Sequence, residues 1–211
     1  MKRKGILVIV SGFSGAGKGT LMKRLMEMHG EQYALSVSMT TRQPRPGEQE
    51  GISYFFVDTE TFEKIIGENG LIEYASYCDN YYGTPRKYVE DMLEQGKDVI
   101  LEIEIQGALK VKEQYPDALL LFVMAPSAEE LKRRLVGRGT ETEEVIRKRL
   151  IRASEEAEGI PAYDAVVIND DLDTCTEELH QMIRSAHYAV SRNLSFIDTM
   201  QNELKELAKG E

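Results

Sequence analysis

Cysteine and histidine are scarce in this chain, and neither occurs with metal-site spacing. The 211 residues include two cysteines, Cys78 and Cys175, which lie far apart and form no CxxC pair. We therefore expect two reduced thiols rather than a disulfide framework. The three histidines form no HExxH or similar pattern, so the sequence predicts no zinc site held by the protein.

Long apolar runs and an excess of basic charge are also missing. No segment approaches the roughly 18 apolar residues that a membrane-spanning helix needs. The basic start and the short apolar run 6–10 lead straight into a glycine loop, unlike a signal peptide. We therefore expect a cytoplasmic protein without a membrane partner. The net charge of −10 argues against a nucleic-acid partner, although a few arginines can still converge on a small phosphate.

The remaining composition is that of a globular protein with one substantial core. Hydrophobic residues make up 42% of the chain and charged residues 29%, ordinary values for a folded protein. Apolar runs typical of buried strands alternate with helical periodicity, which predicts an α/β fold with a parallel sheet and helices on both faces. Predicted strands cover 5–11, 33–38, 98–105, 118–124 and 165–168, and predicted helices cover 19–29, 59–69, 85–95, 106–114, 127–136 and 142–158.

Three regions depart from this alternation. The tyrosine-rich segment 53–82 has short extended runs around one helix and predicts a small inserted β-rich lobe. The polar, glycine-flanked segment 137–144 predicts a mobile loop. Residues 194–207 can form an amphipathic helix, which we interpret as packing on the core in preference to a dimer contact. Monomer and homodimer both remain open.

The sequence GFSGAGKGT, residues 12–20, is the strongest functional motif. It follows the first predicted strand and opens the first predicted helix, the context in which a GxxxxGK sequence binds phosphate. Glycines let backbone N–H groups turn towards a phosphate, and Lys18 can reach the β- and γ-phosphates. Gly19 stands where the strict motif has Ser or Thr, which leaves open whether Thr20 ligates magnesium. The predicted ATP-binding residues of the motif are Gly12, Ser14, Gly15, Ala16, Gly17, Lys18, Gly19 and Thr20.

A second anion site is predicted in SVSMTTRQPRPGE, residues 36–48. Arg42 and Arg45 stand three apart in a segment whose prolines restrict the backbone. The planar guanidinium group suits bidentate phosphate contacts, and the Ser38 hydroxyl can add another. A triphosphate site followed by a second anion site indicates phosphoryl transfer between two ligands.

From the first strand to about Asp171 the chain resembles the guanylate kinase family. The motifs that carry the resemblance occur in order: GFSGAGKGT, TTRQPRPGE, SYFF, LIEYA, NYYGTP, LEIEIQGA, GRGTETEE followed by RKRL, and VINDD. The resemblance implies a P-loop kinase that transfers a phosphoryl group from ATP to GMP, and to dGMP, with Mg²⁺, in purine nucleotide metabolism. It also implies three parts of a single domain 1–211: a core at 1–36, 85–135 and 155–211, a GMP-binding lobe at 37–84, and a lid at 136–154.

The resemblance also gives roles to individual residues. The GMP phosphate would be bound by Ser38, Arg42, Arg45, Tyr54 and Tyr82, and the guanine by Glu73, Thr84 and Glu104. The implied catalytic residues are Lys18, Arg42 and three arginines around the lid that turn towards ATP, Arg134, Arg138 and Arg149. Asn169 would lie near adenine, and Mg²⁺ would be held through ATP and water, with Thr20 and Glu102 as candidate ligands.

Glu73 and Thr84 also suit guanine on chemical grounds. Guanine presents N–H donors at N1 and N2 and an acceptor at O6, whereas adenine has no proton at N1. An ionised carboxylate can accept both guanine donors, and a hydroxyl can donate to O6. Sites built on such matched polar pairs can discriminate by roughly 10⁴-fold.

Glu102 and Glu104 are an unusual pair for a buried segment. They stand two apart in LEIEIQG, which on a strand places both side chains on the same side. Carboxylates near the carboxyl end of a strand in an α/β sheet indicate a ligand site. Pairing with neighbouring arginines is the alternative structural interpretation.

Three other function classes fit part of the pattern. A kinase for AMP, UMP or dTMP would share the phosphate loop, but Glu73 with Thr84 favours guanine. A non-catalytic guanylate-kinase-like module that binds proteins would typically lack that loop, whereas this chain keeps Lys18 and the lid arginines. A GTPase switch would need an NKxD base-recognition motif, which the sequence lacks.

Overall fold

The computed structural model describes residues 3–77, 79–137 and 142–209. In these residues the strands are β1 (Leu7–Gly12), β2 (Tyr33–Leu35), β3 (Met39–Thr40), β4 (Phe55–Phe56), β5 (Leu71–Tyr77), β6 (Asn80–Pro85), β7 (Asp98–Glu102), β8 (Leu119–Met124) and β9 (Ala165–Ile168). The α-helices are α1 (Lys18–His29), α2 (Thr59–Gly67), α3 (Arg86–Glu94), α4 (Ile105–Gln114), α5 (Ala128–Gly137), α6 (Glu143–Ala157), α7 (Leu172–Ala186) and α8 (Leu194–Ala208), and short 3-10 turns cover Ile160–Ala162 and Val190–Arg192.

The core is a parallel sheet in the order β2-β7-β1-β8-β9, with helices on both faces. Its central strand β1 is apolar on both sides, so alternate residues enter different halves of the core. Val8 and Val10 pack in the cluster that includes α1 and α7, whereas Leu7 and Ile9 pack with α3 and α4. Full burial of each such side chain stabilises the fold by about 1.5–3 kcal/mol. The predicted fold class is confirmed.

The inserted β-rich lobe is also confirmed. Its mixed sheet has the order β4-β3-β6-β5, with β3 parallel to β4 and antiparallel to β6, and β5 antiparallel to β6. Helix α2 begins after Asp58, whose side chain caps the helix by accepting a hydrogen bond from the Thr61 N–H. Phe62 of α2 is fully buried and stacks on Tyr81 of β6, with 5.2 Å between ring centroids. This contact fixes the helix on the lobe's sheet.

Two predicted strand ends are wrong. β7 ends at Glu102 instead of residue 105, because α4 begins at Ile105 with Glu104 at its N-cap. Glu104 therefore lies outside the strand. The alternation of side chains along a strand does not determine where Glu102 and Glu104 point relative to each other. β2 is similarly shorter than predicted and ends at Leu35.

The interpretation of the last helix as packed on the core is wrong as well. α8 has no buried residue. Leu204 and Leu207 are 55% and 79% exposed, so the apolar side chains of this helix do not enter the described core. Cys175 of α7 is a buried free thiol, as expected, whereas Cys78 lies outside the described residues.

Parallel strands direct their carboxyl ends to one edge of the sheet, where α/β proteins bind ligands. Here this edge gathers the segments that follow β1, β7 and β9, which carry the phosphate-loop motif, the two glutamates and Asn169. Among the described helices, none is long and apolar enough to cross a membrane.

Candidate active site

The loop after β1 has a backbone that requires glycine at two points. Gly15 and Gly17 both have φ near 90°, in the left-handed region, and Gly17 is the N-cap of α1. A Cβ atom at Gly17 would lie 2.5 Å from Nδ2 of Asn169, so a side chain there would collide with it. The loop consequently turns tightly into the N-terminus of α1, where the first backbone N–H groups of the helix can bind an anion.

Lys18, the first residue of α1, folds back over this loop. Its Nζ donates hydrogen bonds to the carbonyl oxygens of Gly12 and Phe13, over 2.5 and 3.2 Å. The ammonium group is therefore held at the mouth of the loop. Thr20 lies two residues further along α1 and is exposed, as is Gly19.

A cavity of about 620 Å³ opens between the loop and α6. On the α6 side, Arg149 donates a hydrogen bond to the hydroxyl of Ser14. On the other side stands Glu102, at the end of β7; burial raises the pKa of its carboxyl group, and the charge of Lys18 opposes this rise. Lys18, Arg149 and Glu102 thus line one cavity beside the loop, an arrangement that suits a polyphosphate with a divalent cation.

Glu104 lies at the same cavity but pairs with α6. Its Oε2 is 2.6 Å from Nη2 of Arg152, whose Nε is 3.0 Å from Oε1 of Glu156. Both members of the Glu104 pair are mostly exposed, so the pair adds little to stability. The alternative of a carboxylate paired with a neighbouring arginine thus describes Glu104 in this structure, and its role towards guanine stays a prediction.

Arg134 and Asn169 contact the outer side of the loop. Nδ2 of Asn169 donates to the Ala16 carbonyl over 2.9 Å, and Nη2 of Arg134 donates to the Asn169 carbonyl over 2.9 Å. Glu130 holds Arg134 through its Nε at 2.7 Å. The hydrogen bonds from Arg133 and Arg134 lower the pKa of Glu130 to about 2. Arg134 therefore lies beside Asn169, the residue expected near adenine.

Arg42 is immobilised in the lobe by a carboxylate and an aromatic ring. Its Nη2 lies 2.7 and 3.0 Å from the two carboxylate oxygens of Glu48, and its guanidinium carbon lies 5.4 Å from the ring centroid of Tyr54. Tyr82 packs edge-on against Tyr54 with 6.1 Å between centroids. The hydrogen bonds from the Arg42 side chain and the Arg45 backbone lower the pKa of Glu48. Three predicted phosphate ligands, Arg42, Tyr54 and Tyr82, therefore lie together, and the backbone of a fourth, Arg45, binds the same Glu48 carboxylate over 2.7 Å.

Ser38, the fifth predicted phosphate ligand, directly precedes β3. Its carbonyl oxygen accepts a hydrogen bond from the Phe55 N–H over 2.9 Å, which joins the ends of β3 and β4. The strand pair thereby joins Ser38 to Phe55, the residue that directly follows Tyr54.

Glu73 and Thr84 face each other across β5 and β6. The Thr84 hydroxyl donates to Oε1 of Glu73 over 2.7 Å, and Thr84 is fully buried. Burial raises the pKa of the Glu73 carboxyl group, whereas the hydrogen bond from Thr84 and the charge of Lys110 lower it. A carboxylate acceptor and a hydroxyl donor are thus adjacent in a sheltered part of the lobe.

The sequence analysis did not identify two carboxylates that hold predicted site residues, Glu130 and Glu48. Glu130 and Arg134 are four apart on one helix, a spacing that could have revealed the pair. Glu48 and Arg42 have no comparable spacing pattern, because they lie in an irregular loop whose fold brings them together. Arg138 lies outside the described residues.

Comparisons with known proteins point to one family. A family model described as guanylate kinase matches residues 4–186. The chain is similar to the guanylate kinase of Oceanobacillus iheyensis, with 51% identity over 89% of this chain and 90% of that protein. It is also similar to the guanylate kinase of Latilactobacillus sakei, with 45% identity over 91% and 95% of the two chains. The crystal structure of guanylate kinase from Anaplasma phagocytophilum superposes with a TM-score of 0.69 at 33% identity and covers 91% of each chain.

Proposed function

The chain belongs to the guanylate kinase family and transfers a phosphoryl group from ATP to GMP, and we propose that two clusters of its residues divide this task. The first cluster, around Lys18 and Arg149, holds the triphosphate of ATP. The second cluster, in the lobe of β3 to β6, holds GMP through Arg42, Glu73 and Thr84. In-line transfer requires the two nucleotides to meet with their reacting phosphates between these clusters.

The pairing of Glu73 with Thr84 is the observation that carries the assignment to guanine. In the pair, one carboxylate oxygen accepts from the Thr84 hydroxyl over 2.7 Å. When guanine enters, Glu73 accepts from N1–H and N2–H, and the Thr84 hydroxyl rotates to donate to O6. AMP would place a lone pair at N1 against the carboxylate, and an unmatched buried acceptor costs about 1–3 kcal/mol or more for a charged group.

The acceptor phosphate binds at Arg42 in this proposal. Glu48 and Tyr54 hold the guanidinium group before substrate arrives, so little side-chain entropy is lost when the phosphate binds. Ser38, Arg45 and Tyr82 add hydroxyl or guanidinium donors around the same point. The contacts assigned to GMP reach the base and the phosphate and leave the ribose 2′ position untouched, which supports dGMP as a second acceptor.

The residues at the donor cavity fit a magnesium ion carried by ATP. Mg²⁺ keeps several waters and takes one or two protein oxygens beside substrate phosphates, and Glu102 and the Thr20 hydroxyl can supply such oxygens. When bound, the ion would neutralise charge on the β- and γ-phosphates. Glu102 would orient its hydration shell; burial raises the pKa of this carboxyl group, and the charge of Lys18 acts against that rise.

The chemistry of the transfer needs positioning and charge neutralisation more than proton transfer. A phosphate monoester has a second pKa near 6, so GMP is mostly a dianion at about pH 7 and attacks without a general base. Lys18, Arg149 and the loop N–H groups stabilise the charge that spreads over the moving phosphoryl group. We place this reaction in the cytoplasm, where both nucleotides are available.

Replacing Arg42 by glutamine tests the acceptor cluster. We expect the KM for GMP to rise about 10- to 100-fold, because a charge-assisted hydrogen bond contributes about 1.5–3 kcal/mol. The KM for ATP should change by less than about twofold, since Arg42 lies in the lobe away from the phosphate loop. Steady-state kinetics with each substrate varied in turn measures both constants.

Lys64→Gln is the matched control for this experiment. Lys64 also carries a positive charge in the lobe, but its side chain is 73% exposed and pairs only loosely with Glu68 at 3.9 Å. Its kinetic constants should equal those of the wild type. An unchanged KM for GMP in folded Arg42→Gln protein would remove Arg42 from the phosphate site.

A further inference from the structure

Arg86 occupies the joint between the lobe and the core. It follows β6 directly and is the first residue of α3. Its Nε donates to the Asn69 carbonyl over 2.9 Å, and its Nη2 donates to the Leu71 carbonyl over 2.9 Å. The Arg86 side chain, at the start of α3, is therefore hydrogen-bonded to the backbone at the start of β5.

The same guanidinium group reaches the end of α4. Nη1 donates to the Tyr115 hydroxyl over 2.6 Å, and Nη2 donates to Oε1 of Gln114 over 3.0 Å. Gln114 in turn donates through Nε2 to the Ile72 carbonyl over 3.0 Å. Arg86 and Gln114 thus tie two consecutive carbonyl groups of β5, those of Leu71 and Ile72, to a helix of the core.

The next residue along β5 is Glu73. The carbonyl groups of the two residues before Glu73 are held by hydrogen bonds from Arg86 and Gln114. We call Arg86, Gln114 and Tyr115 together the clamp. Within the described part of the chain Arg86 has no carboxylate at ion-pair distance, so its contacts are directional hydrogen bonds to neutral oxygens. Only arginine offers several donors in a fixed planar fork of this kind.

We propose that Arg86 is a positioning residue for base selection, acting through the backbone of β5 on the carboxylate of Glu73. The proposal rests on the function assigned to Glu73 above. Two hydrogen bonds to the guanine edge require the carboxylate to lie in the plane of the base. A shift of about 1 Å in such a contact can cost roughly 10²-fold in rate. Loosening the clamp therefore weakens the hydrogen bonds between Glu73 and guanine, although the clamp residues contact neither substrate.

Comparison of GMP with IMP isolates this effect. IMP keeps O6 and the N1 proton of GMP but lacks the 2-amino group, so the ratio of kcat/KM for GMP to that for IMP reports the second hydrogen bond to Glu73. In Arg86→Gln we expect this ratio to fall about tenfold, with a higher KM for GMP and an unchanged KM for ATP. Partial unfolding would lower both activities equally and leave the ratio unchanged.

Three variants calibrate the measurement. Arg24→Gln is the matched control, because Arg24 also bridges two elements, at 2.7 Å from Asp173, but lies on α1 away from the lobe. Its ratio should equal that of the wild type. Arg86→Lys keeps the charge without the fork and should give an intermediate ratio. Gln114→Leu removes the hydrogen bonds of Gln114 to Ile72 and to Arg86 but keeps those of Arg86 to Asn69, Leu71 and Tyr115. It should lower the ratio less than Arg86→Gln, which keeps the test available if the latter does not fold.

Glu73→Gln separates failure of this proposal from failure of the proposed function. If Glu73→Gln abolishes the preference for GMP over IMP while Arg86→Gln and Gln114→Leu keep it, the clamp has no role in base selection. If Glu73→Gln itself keeps the wild-type ratio, the assignment of Glu73 to guanine is wrong, and the clamp loses its target. A reduced ratio in Arg86→Gln with an unchanged ratio in Arg24→Gln supports the clamp.

Discussion

Lys18→Ala lowers kcat by about 10²-fold or more, the scale on which a single preorganised group acts on developing charge. The ammonium group lies at the mouth of the loop, held by the carbonyl oxygens of Gly12 and Phe13. From there it can follow the β- and γ-phosphates as charge moves between them. Alanine removes this charge from the half-buried mouth of the loop, where its loss has a larger effect than at a fully exposed position.

Single-turnover formation of ADP measures the effect of Lys18→Ala on the chemical step. Lys23→Ala is the matched control, because Lys23 is exposed on the same helix and should give the wild-type rate. Thermal unfolding followed by circular dichroism should show little change, since the side chain of Lys18 is outside the hydrophobic core. A folded Lys18→Ala protein with nearly wild-type turnover would contradict the assignment of the triphosphate to this loop.

Glu73→Gln has the second large effect, on the choice of base. The amide accepts at one oxygen and presents an N–H₂ group to the guanine donors, so two charge-assisted hydrogen bonds are lost. At about 1.5–3 kcal/mol each, we expect kcat/KM for GMP to fall roughly 10²- to 10⁴-fold. Activity with AMP, which gains nothing from the carboxylate, should stay low or rise slightly.

The pH dependence of the KM for GMP gives an independent check on Glu73. Burial raises the pKa of this carboxyl group, so it takes up a proton at a higher pH than an exposed glutamate. Guanine binding needs the ionised form, and the KM for GMP should therefore rise as the pH falls through that raised pKa. Glu73→Gln should lose this component, whereas Glu60→Gln, an exposed control on α2, should retain it. A component that persists in Glu73→Gln would belong to another group, such as the phosphate of GMP.

The phosphate loop could be predicted from the sequence because its determinants are local. Gly15 and Gly17 adopt backbone angles that follow from residue type, and Lys18 begins the helix that the apolar pattern predicts. The parallel sheet could be predicted equally well, since β1 and β8 are apolar on both faces. In both cases short stretches of sequence are enough to specify the structure.

The partners of the site residues could not be predicted in the same way. Glu104 follows a buried strand, but whether the strand continues past Glu102 depends on where α4 starts. Its pairing with Arg152 joins residues 48 apart, and Arg86 collects acceptors from three segments. Such contacts arise from the packing of elements on one another, which one sequence does not encode in any local pattern.

The last helix illustrates a different limit. Its apolar periodicity predicted an amphipathic helix correctly, but the pattern gives no information about what covers the apolar side. Leu204 and Leu207 are exposed in this chain, although the same spacing would serve a core helix.

The most direct test is ADP formation by the purified protein with ATP, Mg²⁺ and, in turn, GMP, AMP, UMP, CMP and dTMP. We expect strong turnover with GMP and, because matched polar sites discriminate by roughly 10⁴-fold, almost none with the other four. Comparable turnover with AMP would contradict the assignment of Glu73 and Thr84 to guanine. Absence of turnover with every acceptor, in protein shown to be folded, would contradict the catalytic role of the two clusters.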